Sequence, residues 1–398
     1  MRGLVLVLLA LSVLTSFRRV SAQDYRARAL AILKTVPLID GHNDIPDAIR
    51  ERGGLDSVDF SVLQPRLMTD IPKLRAGAVG AQFWAAYVPV TTIHEGGSEH
   101  PAVYALEQIE LVHRLCARYP GTFAAARTAA DIERNFKAGK ISCLIGIEGG
   151  HAIENSLGAL RAFYDLGVRY MTLTHWETID WADAATDSAK HDGLTAFGER
   201  VVLEMNRLGM LVDLSHVSDA TMMDALRVSR APVFFSHSSA RALANHVRNV
   251  PDSILRLTGQ KGGVVMVNFN PGFVSEAVRV YGDSVQAWAR ALRAAGADST
   301  TRADSVKVWV ARGPKATLKQ AADHIEHIRD VAGVDHVGLG SDFDGITDVP
   351  VGLEDVSKFP DLLAELLRRG WSELDVRKVA GLNALRVMRE VERVASIH

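Results

Sequence analysis

One plan repeats along this chain and limits its fold more than any other feature. From residue 37 onward, short apolar runs rich in β-branched residues alternate with longer amphipathic stretches. The runs are "PLIDGHND" (37–44), "AVGAQFWAAYV" (78–88), "ISCLIGIEGG" (141–150), "VRYMTLTH" (168–175), "MLVDLSH" (210–216), "APVFFSHS" (231–238), "GGVVMVNF" (262–269) and "HVGLGSDF" (336–343). Helix-like segments such as "AVYALEQIELVHRLCARY" and "LTAFGERVVLEMNRLG" lie between them. Strands alternating with helices imply a parallel sheet. Eight such units predict an α/β fold, a closed (β/α)8 barrel of TIM type with its site where the strands end. A doubly wound open sheet competes, but no glycine-rich phosphate fingerprint follows the first run. A chain of 398 residues has room for several domains, yet barrels of this size run as one, so 23–398 is read as a single domain.

The ends of the runs carry the chemistry. In "LIDGHNDIP", alternate side chains of an extended strand share a face, which would point His42 and Asp44 the same way. Gly41, Asn43 and Asp44 are also turn formers, and the triplet alone favours a turn. The other runs change that balance: Glu148, His175, His216, His237 and Asp342 also stand at run ends. Packing does not explain so many ligand or acid-base types at one kind of position. If Glu148 faces inward, parity takes Leu144 and Gly146 inward and Cys143 toward the helices. Gly338 and Gly340 share a face with Asp342, which predicts open space beneath that acid. This pool of imidazoles and carboxylates, without thiolates, suits zinc and other transition metals. It is larger than one ion needs, so two ions sharing a carboxylate is the economical arrangement. A water between two such ions becomes a hydroxide near neutral pH, which is machinery for hydrolysing an amide.

A net charge of −2 offers no basic surplus for nucleic acid. "MRGLVLVLLALSVLTSF" has a basic start and an apolar stretch, and "VSA" at 20–22 fits a cleavage site. Residues 1–22 are therefore expected to be a signal peptide, leaving a periplasmic or secreted protein with no transmembrane anchor after processing. Two cysteines, Cys116 and Cys143, make no disulfide framework. Cys143, inside an apolar run, is read as a buried small hydrophobe.

With these residues in view, the chain resembles the membrane dipeptidase (renal dipeptidase, dehydropeptidase) family of zinc metallopeptidases. The stretches that carry the resemblance are "DGHND", "LIGIEGGHAI", "LGVRYMTLTH", "LGMLVDLSHVS", "APVFFSHSSARAL", "RNVPD", "VGLGSDFDGI" and "GLEDVSKFPDLLAELLRRGW". They cover nearly the whole chain after the signal segment. The resemblance implies a dipeptidase with two zinc ions per chain. His42, Asp44 and Glu148 would surround one ion and Glu148, His216 and His237 the other, with Glu148 as the bridge. His175 would stabilise the oxyanion at the scissile carbonyl, and Arg248 would hold the substrate's C-terminal carboxylate. Asp342 would contact the substrate amine and the bridging water, with Asp344 as second choice. A homodimer is expected by resemblance alone. An amidohydrolase acting on N-acyl amino acids or lactam-like amides is the alternative enzyme, and a binding protein that has lost catalysis is the non-enzyme alternative.

The chain departs from the mammalian members at three places. Phe273 stands where they carry a tyrosine near the substrate. Trp176 and Glu177 replace small residues including a cysteine, so that disulfide is not available. Residues 274–316 form a longer helix-like insertion after run seven, either a lid over the substrate or a peripheral decoration. Four further histidines are read as non-catalytic. His151 makes a structural hydrogen bond, and His246 orients Arg248 or faces solvent. His324 and His327 lie on a solvated helix face.

Overall fold

The structure is a computed structural model that describes residues 22–94 and 100–397. The expected signal segment lies outside the described residues except for Ala22, where the helix Ala22–Leu33 begins. Among the described residues, no helix is long and apolar enough to cross a membrane.

The strands are β1 (Leu38–Asn43), β2 (Val79–Tyr87), β3 (Phe123–Ala125), β4 (Ile141–Glu148), β5 (Val168–Thr172), β6 (Leu211–Asp213), β7 (Phe234–Phe235), β8 (Val264–Val267) and β9 (Val337–Leu339). All pair in parallel, in the order β2-β1-β9-β8-β7-β6-β5-β4-β3. Pairing of β2 with β4 closes a barrel of eight strands, as the alternating runs predict. The ninth strand, β3, is too short to show in the sequence. It pairs with Ile141–Cys143 on the edge that β5 takes over from Ile145.

Strand parity fills the barrel. Phe83, Tyr170 and Phe234 form a triangle of rings with centroids 5.2, 5.9 and 5.9 Å apart, joined in one cluster by Ile39, Leu144 and Met266. Gly146 faces this plug, where a Cβ would fall 2.0 Å from the Tyr170 ring. Cys143 packs in the outer layer, as parity requires. The space beneath Asp342 is not open, contrary to expectation. A Cβ on Gly340 would fall 1.8 Å from the Ser236 carbonyl oxygen, and one on Gly338 would fall 3.3 Å from Met266. These glycines admit a neighbouring backbone and side chain.

At its end β1 departs from simple alternation. Asp40 lies opposite Gln82 and Asn43 opposite Trp84, so three steps on β1 match two on β2. Such a bulge re-aims side chains. Gly41 meets the Ser236 carbonyl and Met266, while the next residue, His42, reaches Tyr170 and His237.

Residues 274–316 are largely helical, as the insertion predicts, with helices Glu276–Ala294 and Ser299–Arg312. Trp288 stacks on Trp309 at 4.8 Å to hold the two together. His324 is fully buried rather than on a solvated face. Its Nδ1 accepts from the Ala240 N–H at 3.0 Å and its Nε2 donates to the Val274 carbonyl at 3.2 Å, tying the root of the insertion to the loop after β7. His327 pairs with Asp252 at 2.8 Å.

The cysteine reading is also corrected. Cys143 on β4 is disulfide-bonded to Cys116 on the helix Pro101–Arg118, 27 residues away. Closing a loop of that length stabilises a fold by about 2–4 kcal/mol. The double variant Cys116→Ala/Cys143→Ala is expected to lose stability of that order in urea denaturation under oxidising conditions. An unchanged midpoint would show that the bond carries no stability.

Candidate active site

Glu148, the last residue of β4, stands at the centre of a buried cluster. Its Oε1 lies 3.0 Å from His216 Nε2 and 3.3 Å from His237 Nε2, and its Oε2 lies 3.6 Å from His42 Nε2. His42 Nε2 is in turn 3.2 Å from Asp44 Oδ2. The ligand atoms fall into three overlapping groups, each spanning less than 4.8 Å: Glu148 with His216 and His237, His42 with Asp44 and Glu148, and His42 with His237 and Asp342. His216 and Asp342 have φ of 70° and 65° and lie beyond the last residues of β6 and β9. Their aim is therefore set by left-handed turns rather than by strand parity.

The donor atoms fit metal ions. Ser236 Oγ donates to Asp213 Oδ2 at 2.6 Å, because a carboxylate offers only acceptors, and it therefore accepts from His237 Nδ1 at 2.7 Å. That leaves a lone pair, not a proton, on His237 Nε2, 3.0 Å from His216 Nε2. His42 Nδ1 meets the Tyr170 hydroxyl at 2.7 Å, while His42 Nε2 and Asp44 Oδ2 are buried without a hydrogen-bond partner. Buried imidazole nitrogens and carboxylate oxygens converging on one point are a donor set that suits a cation.

Burial sets the charges around this cluster. It pushes Asp342 up to about 8, with help from the neighbouring Asp44, and Asp44 itself to about 6. Burial opposes the charge on Glu148 as well, but the histidines around it hold it well below the usual carboxylate range. His42 is raised against its own desolvation by Tyr170, Asp44 and Glu148, whereas burial lowers His216 and His237.

A cavity of about 320 Å³ opens over the cluster. His175 lines it with Nε2 3.7 Å from Glu148 Oε1 and Nδ1 unpartnered, and burial lowers its pKa to about 4. Tyr87 and Trp176 meet the His175 ring edge-on at 5.0 and 5.4 Å. Arg248 also lines the cavity. It is 1% exposed, its Nε and Nη1 have no acceptor, and its guanidinium lies 5.5 Å over the Phe273 ring. Burial lowers this guanidinium to about 10. His246 helps place Arg248: its Nδ1 accepts the Arg248 N–H at 3.1 Å, and its ring packs on Phe273.

Asn268 Nδ2 donates to Asp342 Oδ2 at 2.9 Å, beside Asp44. Asp344 lines the cavity too, but its Oδ1 accepts from the Met68 N–H at 2.8 Å, and it joins none of the three ligand groups. His151 joins none either. Its ring sits against Gly149, and burial lowers it to about 4. No residue of 274–316 lines the cavity, which takes Asn270 and Phe273 from the stretch before that segment. Tyr170, Asp213, Ser236 and Asn268 were not singled out from sequence; counting by twos from His175 puts Tyr170 on the other face, and only the strand register sets it opposite Gly146.

The model of the membrane dipeptidases (peptidase family M19) matches residues 26–397. The chain belongs to the membrane dipeptidase family. It is a metallopeptidase, a hydrolase by class. It is 42% identical to dipeptidase 3 of Rattus norvegicus over 377 residues, 93% of this chain and 68% of that relative. A metallopeptidase of Rhodobacter sphaeroides, solved with a phosphinate mimic of the dipeptide L-Ala-D-Ala, superposes with a TM-score of 0.71 at 26% identity, covering 89% of this chain and 99% of its own. The probable dipeptidase PvdM of Pseudomonas aeruginosa shares the fold with a TM-score of 0.82 at 23% identity, over 94% of this chain and 100% of its own.

In this membrane dipeptidase Arg248 Nη2 donates to the His237 carbonyl at 3.5 Å, so two of the three guanidinium nitrogens lack an acceptor, and this has an energetic consequence. Buried donors without acceptors cost about 1–3 kcal/mol. Replacing Arg248 with Met is expected to stabilise the metal-free protein by that order in urea denaturation. A loss of stability would show that the guanidinium is already satisfied.

Proposed function

We propose that the protein is an exported dinuclear zinc dipeptidase that cleaves dipeptides bearing a free C-terminal carboxylate. The observation that carries this reading is the division of Glu148: one oxygen faces His216 and His237, the other faces His42. A carboxylate so placed suits a bridge, with His42 and Asp44 completing one site and His216 and His237 the other. Bound there, two zinc ions would activate a water and polarise the scissile carbonyl. The dipeptide mimic held by the Rhodobacter relative supports the substrate class. The disulfide between Cys116 and Cys143 supports export, because such bonds persist in oxidising compartments.

The protein's own groups have separate tasks. His175, kept neutral by burial, donates an N–H to the oxygen that gains charge as the carbonyl is attacked. Asp342 has Oδ2 engaged by Asn268, so Oδ1 takes the proton released by the attacking water and delivers it to the leaving amine. Burial and Asp44 raise this carboxyl in the metal-free chain; two cations beside it would lower it again and leave it ionised, able to accept that proton. Arg248 receives the substrate carboxylate on its unpaired N–H groups.

Elemental analysis beside dipeptide hydrolysis tests the metal assignment. Glu148→Gln is expected to disrupt both sites, whereas His42→Ala chiefly empties one. Two retained ions in the Glu148 variant would remove the bridge.

The carboxylate anchor is tested by a double cycle. Amidating the dipeptide and replacing Arg248 with Met should each cost on the order of 2–5 kcal/mol, roughly 30-fold to several-thousand-fold in kcat/KM. Together they should cost much less than the sum, since both remove the same contact. Simple addition of the two losses would show that Arg248 binds something else.

A further inference from the structure

Two buried aspartates outside the metal cluster make similar sets of contacts at two places in the barrel. Asp213, the last residue of β6, accepts the Ser215 N–H at 3.1 Å, the Ser236 N–H at 2.8 Å, the Ser236 hydroxyl at 2.6 Å and the Thr172 hydroxyl at 2.6 Å. Asp40 on β1 accepts the His42 N–H at 3.4 Å, the Ser341 N–H at 2.8 Å, the Ser341 hydroxyl at 2.6 Å and the Gln82 amide at 2.9 Å. Each aspartate binds its own chain two residues on and both polar hydrogens of a serine on the adjacent strand's end. A residue of the cluster follows each serine: His237 after Ser236, and Asp342 after Ser341. The two clamps differ in their fourth donor, the Thr172 hydroxyl against the Gln82 amide, and in one further contact. Ser236 Oγ also meets a ring nitrogen, His237 Nδ1, at 2.7 Å.

We infer that Asp213 is a positioning residue that acts through Ser236 to fix the tautomer of His237, keeping Nε2 free of a proton and open to a metal ion. The inference rests on His237 being a ligand, as proposed above. Ser236 has one hydroxyl hydrogen. While Asp213 takes it, the serine oxygen can only accept from Nδ1, so the ring's proton stays on Nδ1. Metal-ligating histidines are commonly oriented by such a partner on the far nitrogen, and losing it costs roughly 10- to 100-fold in metal affinity. Here the carboxylate reaches the ring through a hydroxyl.

This arrangement makes Asp213→Asn a specific perturbation. The amide oxygen must stay with the Ser215 and Ser236 N–H groups, because an NH2 there would face two donors. The amide NH2 then replaces Oδ2 and donates to Ser236 Oγ. The serine hydrogen, displaced, turns to Nδ1, and the ring's proton moves to Nε2, where it blocks the ligand position.

Two measurements test the inference. Nitrogen NMR of the imidazoles in metal-free protein, with His237 assigned by its own substitution, should place the proton on Nδ1 in the native chain and on Nε2 in Asp213→Asn. A native His237 protonated on Nε2 would overturn the inference without need of any variant. Zinc affinity, read by competition with a chromophoric chelator, should fall roughly 10- to 100-fold in Asp213→Asn and less in Ser236→Ala. The double variant Asp213→Asn/Ser236→Ala should bind zinc better than Asp213→Asn, because no hydroxyl remains to donate to Nδ1. Additive losses would overturn the inference, as would the same rescue of Asp40→Asn by Ser341→Ala, where no ring nitrogen is present to control. If His237→Ala itself leaves zinc affinity unchanged, the ligand assignment fails instead.

Discussion

The site depends on a negative charge held largely out of water. A carboxylate taken out of water is tolerated only when neighbouring groups replace its hydration. Glu148 is 4% exposed, and its two oxygens are shared among His42, His216, His237 and, at longer range, His175. Those rings come from four different strand ends, so only a closed barrel can deliver them to one point. Closure by β2 and β4 and compensation of Glu148 are therefore coupled: the strand that closes the ring also carries the charge. The plug of Phe83, Tyr170 and Phe234 beneath the cluster keeps water from entering from below, and Tyr170 extends from it to hold His42.

Legibility in the sequence followed the reach of periodic structure. Alternation of apolar runs with amphipathic stretches revealed the eight strands, and the period of two placed Leu144, Gly146 and Cys143 correctly. Parity stops at the last ladder hydrogen bond. His216 and Asp342 lie past that point in left-handed turns, so their positions at run ends were readable but their directions were not. The bulge in β1 likewise brings Gly41 and His42 to the same side, which no alternating pattern predicts. The acidic neighbours of His324 suggest a solvated face, which the helical period contradicts. Ala321, Ile325 and Ile328 mark the inner face on which it lies. The partnership of Cys116 and Cys143 needed the helix and strand to be set side by side. Asp213 and Ser236 looked like ordinary polar residues, since their significance is in a hydrogen-bond direction.

Several of the costs in this molecule fall together at one end of the barrel. His42 Nε2, Asp44 Oδ2, His175 Nδ1, His216 Nδ1 and two nitrogens of Arg248 are buried there without hydrogen-bond partners. Positive φ at His216, Asp342 and Asp344 adds backbone strain in the same region. A fold tolerates such a concentration when the remainder is well satisfied, and the layers between strands and helices supply a continuous apolar core. Ligands that complete these atoms therefore stabilise the folded state as they bind.

The paired helices after β8 have a bearing on how this chain can vary. Ser299–Arg312 contributes no buried residue at all, and its companion Glu276–Ala294 contributes only Val285. A hairpin that adds so little to the core can lengthen, shorten or be exchanged while the barrel keeps its stability. Natural selection can thus alter the enzyme's outer contour, and an engineer can place a label or a fused domain at its tip, independently of the chemistry below.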